Sequence, residues 1–300
     1  MTPIPTPDQV NLVLYHRDLD GFAAAWAAWK RLGDKVAYSP VQYGGKLPEG
    51  LAGKHVAVVD FSFKPSPMDQ LVEQASSLIV LDHHKTILKD FPEGHPNLVL
   101  DLDHSGAVLS WEWFHPGVEV PPALLFVQDY DLWQWKLDRT RAFYYGTQGI
   151  PWKVEQLPEF DLAITTDIEH TLLRGTMLCD YVDLQVKRGL RQAVLVQIHP
   201  LGIRAWMYNG HVPWYSELGN ALARQEGSDV DVSLVWTYLA REKVYACSLR
   251  SQNTNSGELA RSLGGGGHPQ AGGFTWRGTI EELFSAVAED TTTSPDTART

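Results

Sequence analysis

The sequence predicts an α/β protein in two lobes: an N-terminal parallel β-sheet domain with helices on both faces, a helical connector, and a smaller C-terminal mixed α/β domain. Three observations predict it. Short apolar runs alternate with helix-like patterns through the first half. The stretch from Asp161 to Ile198 is mostly helix-compatible. Beyond it, strand-like runs resume around a single helical pattern.

In order, Val10–Tyr15 (VNLVLY) reads as a strand and Phe22–Arg31 (FAAAWAAWKR) as an alanine-rich helix. Strands follow near Val36–Tyr38 and at His55–Val59 (HVAVV), then a helical pattern at Met68–Ala75 and strands at Leu78–Leu81 (LIVL) and Leu98–Leu100. Ser105–Phe114 and Ala123–Val127 look helical. This alternation places ligands beyond the carboxyl ends of the parallel strands. In the connector, Leu172, Leu173, Leu178, Val182, Leu184 and Val186 form a loose apolar stripe. Ile203–Met207, Val230–Tyr238 and Lys243–Leu249 then read as strands, with a helix over Trp214–Glu226. The expected divisions are 1–155, 156–198 and 199–290, followed by a polar, disordered tail over 291–300 (TTTSPDTART).

Composition narrows the function classes. With 44% hydrophobic and 20% charged residues over 300 positions, the chain is long enough for two cores. It has no unbroken apolar run of the ~18 residues a membrane span needs. The opening MTPIPTPDQV lacks the basic and apolar regions of a secretory signal, and the two cysteines, Cys179 and Cys247, lie far apart. The expectation is a cytoplasmic protein with reduced thiols and no membrane partner. The net charge is −11, and no run of Lys and Arg offers the basic stripe that tracking a long polynucleotide requires. Two divalent cations would change −11 to −7, which is still acidic. A small substrate is therefore favoured over a long strand.

The acids and histidines fall where chemistry is expected. His16, Asp18 and Asp20 (YHRDLDG) follow the first strand. In extended chain, residues two apart project to one side, so all three can converge. Asp60 follows HVAVV, Asp82-His83-His84 follows LIVL, and Asp129 (FVQDYDLW) ends a further apolar run, with Asp131 as its rival. One aspartate after a strand is commonly a turn former or helix cap. Three strand ends together, two of them with histidine, make a denser cluster than turns require. Clustered carboxylates repel unless cations neutralise them, and a mixed His/Asp set suits Mn2+ or Mg2+. Two such ions can clamp a phosphoryl group and activate water at neutral pH.

HRDLDG, VVDFS, LDHHKT and the later Asp129 stand in the order of the DHH phosphoesterase motifs, which the chain resembles. The segment from Ser248 to Phe274 (SLRS…GGGGHPQAGGF) resembles the DHH-associated substrate-binding domain, so the likeness spans nearly the whole chain. The resemblance implies two divalent cations. His16, Asp18 and Asp60 would hold one, and Asp20, Asp60, His83 and Asp129 the other, with Asp60 bridging. His84 would face the substrate phosphate, and Asp82 would either touch metal or orient a histidine. In some branches the first histidine stands further from the aspartates than His16 does from Asp18.

In the second lobe, Gly264–Gly267 precede His268, and Arg250 ends the strand YACSLR. The glycines Gly265, Gly266 and Gly267 would let backbone N–H groups approach an anion, or would simply form a flexible loop. Arg250 suits a bidentate phosphate contact, or a surface ion pair. By resemblance, Arg250 and His268 contact substrate. Ser105 opens its helix either as an N-cap or as part of a second anion site. Trp133 and Trp135 either pack in a core or stack a base.

The leading expectation is a hydrolase for phosphodiester or phosphomonoester bonds in small nucleotides: short single-stranded oligonucleotides, dinucleotides or 3′,5′-bisphosphorylated nucleosides. The alternatives are a single-strand exonuclease of the same family and a non-catalytic nucleotide sensor.

Overall fold

A computed structural model describes residues 2–42, 45–210, 213–225 and 229–287. The tail expected over 291–300 lies outside the described residues. The chain divides into two compact units between Cys179 and Asp180.

The first unit is built on β1 (Leu12–His16), β2 (Ala37–Val41), β3 (His55–Val59), β4 (Ser77–Asp82) and β5 (Leu98–Leu100), joined in the order β2-β1-β3-β4-β5. Every pairing is parallel. The central strands are buried on both faces, which explains why they are continuous apolar runs rather than alternating ones. Val13, Tyr15, Ala57, Val59, Ile79 and Leu81 face one core, while Leu12, Leu14, Val56, Val58, Leu78 and Val80 face the other. On the first face lie α1 (Leu19–Leu32) and α4 (Gly106–Phe114), with Trp26 stacked on Trp111 at 5.6 Å. Met68 and Leu71 of α2 (Pro65–Gln74) close the second face. The predicted fold class is therefore the observed one, and the strands lie within a few residues of their expected places.

Also in this unit are α3 (Ile87–Asp90), α5 (Pro122–Asp131), α6 (Thr140–Thr147) and α7 (Leu157–Ile164). The helix expected over Ala123–Val127 extends as α5 to Asp131, a difference that decides which aspartate reaches the site. Within the stretch expected to connect the lobes, helix and strand both occur. Leu157–Ile164 and α8 (Ile168–Gln192) are helical, but Val194–Ile198 is a strand, β6. Its residues VLVQI fit either period over so short a run, and pairing with β7 (Ile203–Asn209) on one side settles the matter.

The second unit adds α9 (Tyr215–Ala223), β8 (Val232–Leu239), β9 (Val244–Ser251), α10 (Ser256–Ser262), β10 (Gly266–His268), β11 (Ala271–Trp276), α11 (Ile280–Leu283) and β12 (Phe284–Ala286). Its sheet runs β10-β11-β9-β8-β7-β6-β12, antiparallel except for β7 beside β8. One face packs on Ala260 and Leu283, the other on Leu218 and Leu222. Among the described residues no helix is long and apolar enough to cross a membrane.

Candidate metal centre

The sheet order places β2 on one side of β1 and β3 on the other, so the chain reverses direction across the sheet at β1 and β3. Crevices in open α/β sheets form at such a switch point, outside the carboxyl ends of the strands. His16 ends β1, Asp60 follows β3, and Asp82 ends β4 with His83 and His84 after it.

The convergence of the first three residues is achieved differently from the extended-chain expectation. Asp18 is the N-cap of α1, accepting from the Gly21 amide at 2.9 Å, and Asp20 lies in the first helical turn. A Cβ at Gly21 would stand 2.2 Å from the His16 carbonyl oxygen, so this turn requires glycine. His16 Nδ1 lies 2.7 Å from Asp18 Oδ2 and 3.6 Å from Asp60 Oδ2.

Asp60 is central and strained. It is buried, its φ is 55°, and its amide donates to the Leu81 carbonyl at 2.8 Å. Gly106 lies so close that a Cβ there would stand 2.3 Å from Asp60 Cβ. Oδ1 faces His83 Nε2 at 3.1 Å. Oδ2, sealed from solvent, faces His16 Nδ1 at 3.6 Å. Burial, followed by the charges of Asp20 and Asp18, pushes the Asp60 carboxyl well above the carboxylate range.

His83 Nε2 also lies 3.5 Å from Asp20 Oδ2 and 3.4 Å from Asp131 Oδ2. Burial and the negative charge of Asp20 push Asp131 up to about 7. His16 moves the other way: burial opposes its charge, but hydrogen bonds to Asp18 and Asp60 outweigh it and hold its proton up to about 10. Three donor groups result among the described residues, His16–Asp18–Asp60, Asp20–His83–Asp131 and Asp60–Asp82–His83–His84, each with its ligand atoms within 4.8 Å of one another. Each could hold a divalent cation. The set fits such ions, because the sealed Asp60 Oδ2 and the crowded, raised carboxyls of Asp60 and Asp131 are what a bound cation would relieve.

Asp129 is the notable correction. Its carboxylate points away into the following loop, where it accepts from the Lys136 amide (2.7 Å), the Leu137 amide (3.2 Å) and the Thr140 hydroxyl (2.5 Å). Asp131, its rival in the sequence, faces the cluster instead. Asp129 and Asp131 share α5, and two residues on a helix diverge by about 200°.

Asp82 is fully buried and grips its neighbours: Oδ1 accepts from the His83 amide at 2.7 Å and the His84 amide at 3.1 Å, and meets His84 Nδ1 at 2.7 Å. Burial would raise its pKa, yet these contacts with His84 hold it below the usual range. Ser105 is also fully buried, with its hydroxyl accepting from the Val108 amide as an N-cap, so it offers nothing to a ligand. The N-terminus of α4 is likewise occupied. The Gly106 and Ala107 amides donate to Asp20 at 2.6 and 3.0 Å, an internal carboxylate in the place of a substrate anion. That anchor joins residues 86 and 87 positions apart and leaves no local sequence signal.

In the second unit, Arg250 donates to Ser248 Oγ, the Leu249 carbonyl and Ser216 Oγ, each at 2.8 Å, and lies over the Tyr215 ring at 5.5 Å. The glycine run is mostly ordered as a hairpin. Gly266–His268 pairs antiparallel with Ala271–Gly273, and a Cβ at Gly265 would stand 2.0 Å from the Gly273 carbonyl. Close packing thus explains Gly265 and Gly267, and His268 is exposed at the end of β10.

The fold is the α/β class that the sequence resemblance implies. No family model matches the chain. An uncharacterised protein of Acanthamoeba polyphaga mimivirus is 29% identical over 297 residues, covering 90% of this chain and 68% of that protein. The pGpG-specific phosphodiesterase PggH of Vibrio cholerae has a similar fold: TM-score 0.52 and 14% identity, over 88% of this chain and 92% of that one. RecJ of Thermus thermophilus in complex with Mn2+ aligns with a TM-score of 0.48 and 18% identity, over 88% of this chain but 49% of its own.

Proposed function

We propose that the chain is a phosphoesterase using two divalent cations, Mn2+ or Mg2+, to hydrolyse phosphodiester or phosphomonoester bonds in small nucleotides. One observation carries the reading: four carboxylates and two histidines meet at a switch point, in two groups that share a border at Asp60. His16, Asp18 and Asp60 would hold one cation. Asp20, His83 and Asp131 would hold the other, with Asp60 between them. When bound, such ions neutralise the carboxylates, polarise a phosphoryl oxygen and lower the pKa of water.

The remaining residues prepare that work. Asp82 orients His84 through Nδ1, and His84 is proposed to face the substrate phosphate. Burial opposes the charge of His84, but its hydrogen bond to Asp82 outweighs burial and favours the imidazolium that an anionic substrate would select. The amides of α4 fix Asp20, and the strained turn fixes Asp60, so neither carboxylate needs to reorganise. Arg250 and His268 are proposed to contact the substrate from the second unit.

The net charge of −11 supports a small substrate, and the dinucleotide specificity of PggH puts linear dinucleotides first among candidates. The test is phosphate or mononucleotide release with Mn2+ and with chelator, over dinucleotides, cyclic dinucleotides, a bisphosphorylated nucleoside and a long single strand. Metal-dependent release confined to the small members, and lost in Asp60→Ala, is the expected result. Preference for the long strand would overturn the substrate class. Tight binding without any turnover would overturn the enzyme reading.

A further inference from the structure

Trp133 and Trp135 stand two positions apart in the loop after α5, and the structure leaves both out of the core, 42% and 41% exposed. Indoles this size are ordinarily buried against other apolar groups. Their rings meet edge to face at 4.7 Å and 76°, and each makes a similar contact with Tyr130, at 6.0 and 5.6 Å. Tyr130 in turn lies flat on Tyr144, 3.8 Å away and 9° from parallel.

The loop that presents them is strained and held. Both tryptophans have φ of 55°, a left-handed conformation that bulky L residues adopt only when their surroundings impose it. Asp129 imposes it. Its carboxylate ties down the Lys136 and Leu137 amides and the Thr140 hydroxyl, and its carbonyl accepts from the Gln134 amide at 2.9 Å. The Trp133 amide adds a bond to the Tyr130 carbonyl at 3.1 Å. Collapse of two indoles into a core would need no such scaffold.

What the scaffold holds in place is continuous with the metal centre. Tyr130 and Tyr144 line a cavity of about 170 Å³ together with Asp18, Asp20, Asp131 and Trp152. The same aromatic group thus forms the cavity wall at one end and the exposed indoles at the other. An occupant must carry a flat ring within one residue's reach of a cation-binding, phosphate-directed cluster, which describes a nucleobase on its phosphate. Stacking of this kind is tolerant of base identity, since every base has a π-face.

We propose that Trp133 and Trp135 form the platform on which the nucleobase beside the scissile phosphate stacks, so that the chain selects nucleotides over base-free phosphate esters without discriminating among bases. The proposal rests on the phosphoesterase reading for the position of the phosphate. On this view Asp129 acts as a positioning residue for the platform.

The test is calorimetric binding of AMP, GMP and ribose 5-phosphate to the full chain with Mn2+. AMP and GMP should bind alike, and roughly 10- to 100-fold tighter than ribose 5-phosphate. In Trp133→Ala/Trp135→Ala that preference should vanish while ribose 5-phosphate affinity stays within about twofold, and Trp133→Phe/Trp135→Phe should restore most of it. An unchanged melting temperature would show that the loss is not unfolding. Equal binding of AMP and ribose 5-phosphate to the unmodified chain would overturn the platform, as would a double alanine variant that keeps its preference. Base-dependent binding without metal-dependent phosphate release would support the platform and sink the phosphoesterase reading. Release without base preference would do the reverse.

Discussion

The two sheets treat their polar groups in opposite ways. At the carboxyl edge of the first, Asp18, Asp20, Asp60 and Asp131 crowd around His16 and His83, and the protein alone does not balance them. Asp60 Oδ2 is sealed from solvent and faces His16 Nδ1 at 3.6 Å, and its carboxyl is forced up by burial and by its neighbours. In the second unit, Arg250 already has Ser248, Ser216 and a carbonyl, and Gly265 and Gly267 are explained by hairpin packing. The difference separates a crowded cluster of carboxylates from a surface whose polar groups are already satisfied. In the first, carboxylates crowd one another and the pKa values of Asp60 and Asp131 rise. In the second, each contact described stands on its own.

The largest effect expected from breaking this contrast is at Asp60. Asp60→Asn removes a charge while keeping a residue type that tolerates positive φ. Metal-dependent phosphate release should fall by about 10³-fold or more, with far-UV circular dichroism unchanged. Activity within tenfold of the unmodified chain would remove Asp60 from the centre. Arg250→Ala should instead act through KM.

Next comes the pair on α5. Asp131→Asn should weaken Mn2+ binding, measured calorimetrically, by roughly 10- to 100-fold and leave the melting temperature of the metal-free protein equal or higher, since it relieves repulsion. Asp129→Asn should lower that temperature by roughly 4–8 °C, because charge-assisted bonds to the loop are weakened. The opposite pattern would restore Asp129 as the ligand.

The glycine run offers a smaller test. Gly265→Ala forces a Cβ onto the Gly273 carbonyl and should cost roughly 1–3 kcal/mol in a denaturant titration. Gly266→Ala meets nothing within 4 Å and should change stability by about 0.5 kcal/mol or less. If both were silent in stability and both abolished substrate binding, the run would serve the ligand rather than the hairpin.

The smallest effect is a pH dependence in the second unit. Burial would raise the Asp231 carboxyl, but the Asn253 and Thr254 amides and the Thr254 hydroxyl outweigh it and hold it below its ordinary value. A depressed carboxyl contributes stability above its unfolded pKa of about 3.9 and loses it as pH falls through the lower folded value. Stability should therefore drop below about pH 4, and Asp231→Asn should flatten that slope. An unchanged slope would place the acid sensitivity elsewhere.

Much of the centre is legible before any coordinates. His16, Asp60, Asp82 and His83 follow apolar runs so continuous that only strands buried on both faces explain them, and a parallel sheet must bring such endings to one edge. Val194–Ile198 is less legible, because five residues flanking a long helix fit either period until a partner strand is found. Trp133 and Trp135 are undecided for a similar reason: composition does not reveal exposure, and a backbone at φ 55° has no sequence signature in tryptophan.

By itself, then, the sequence determined the fold class and the run of acid-ended strands, since these depend on local period and on charge. Only the tertiary structure decided which aspartate of α5 turns inward, what holds Asp20, and that Ser105 is a buried cap. Those outcomes depend on helix phase and on contacts between residues far apart in the chain, and neither is written in any one segment.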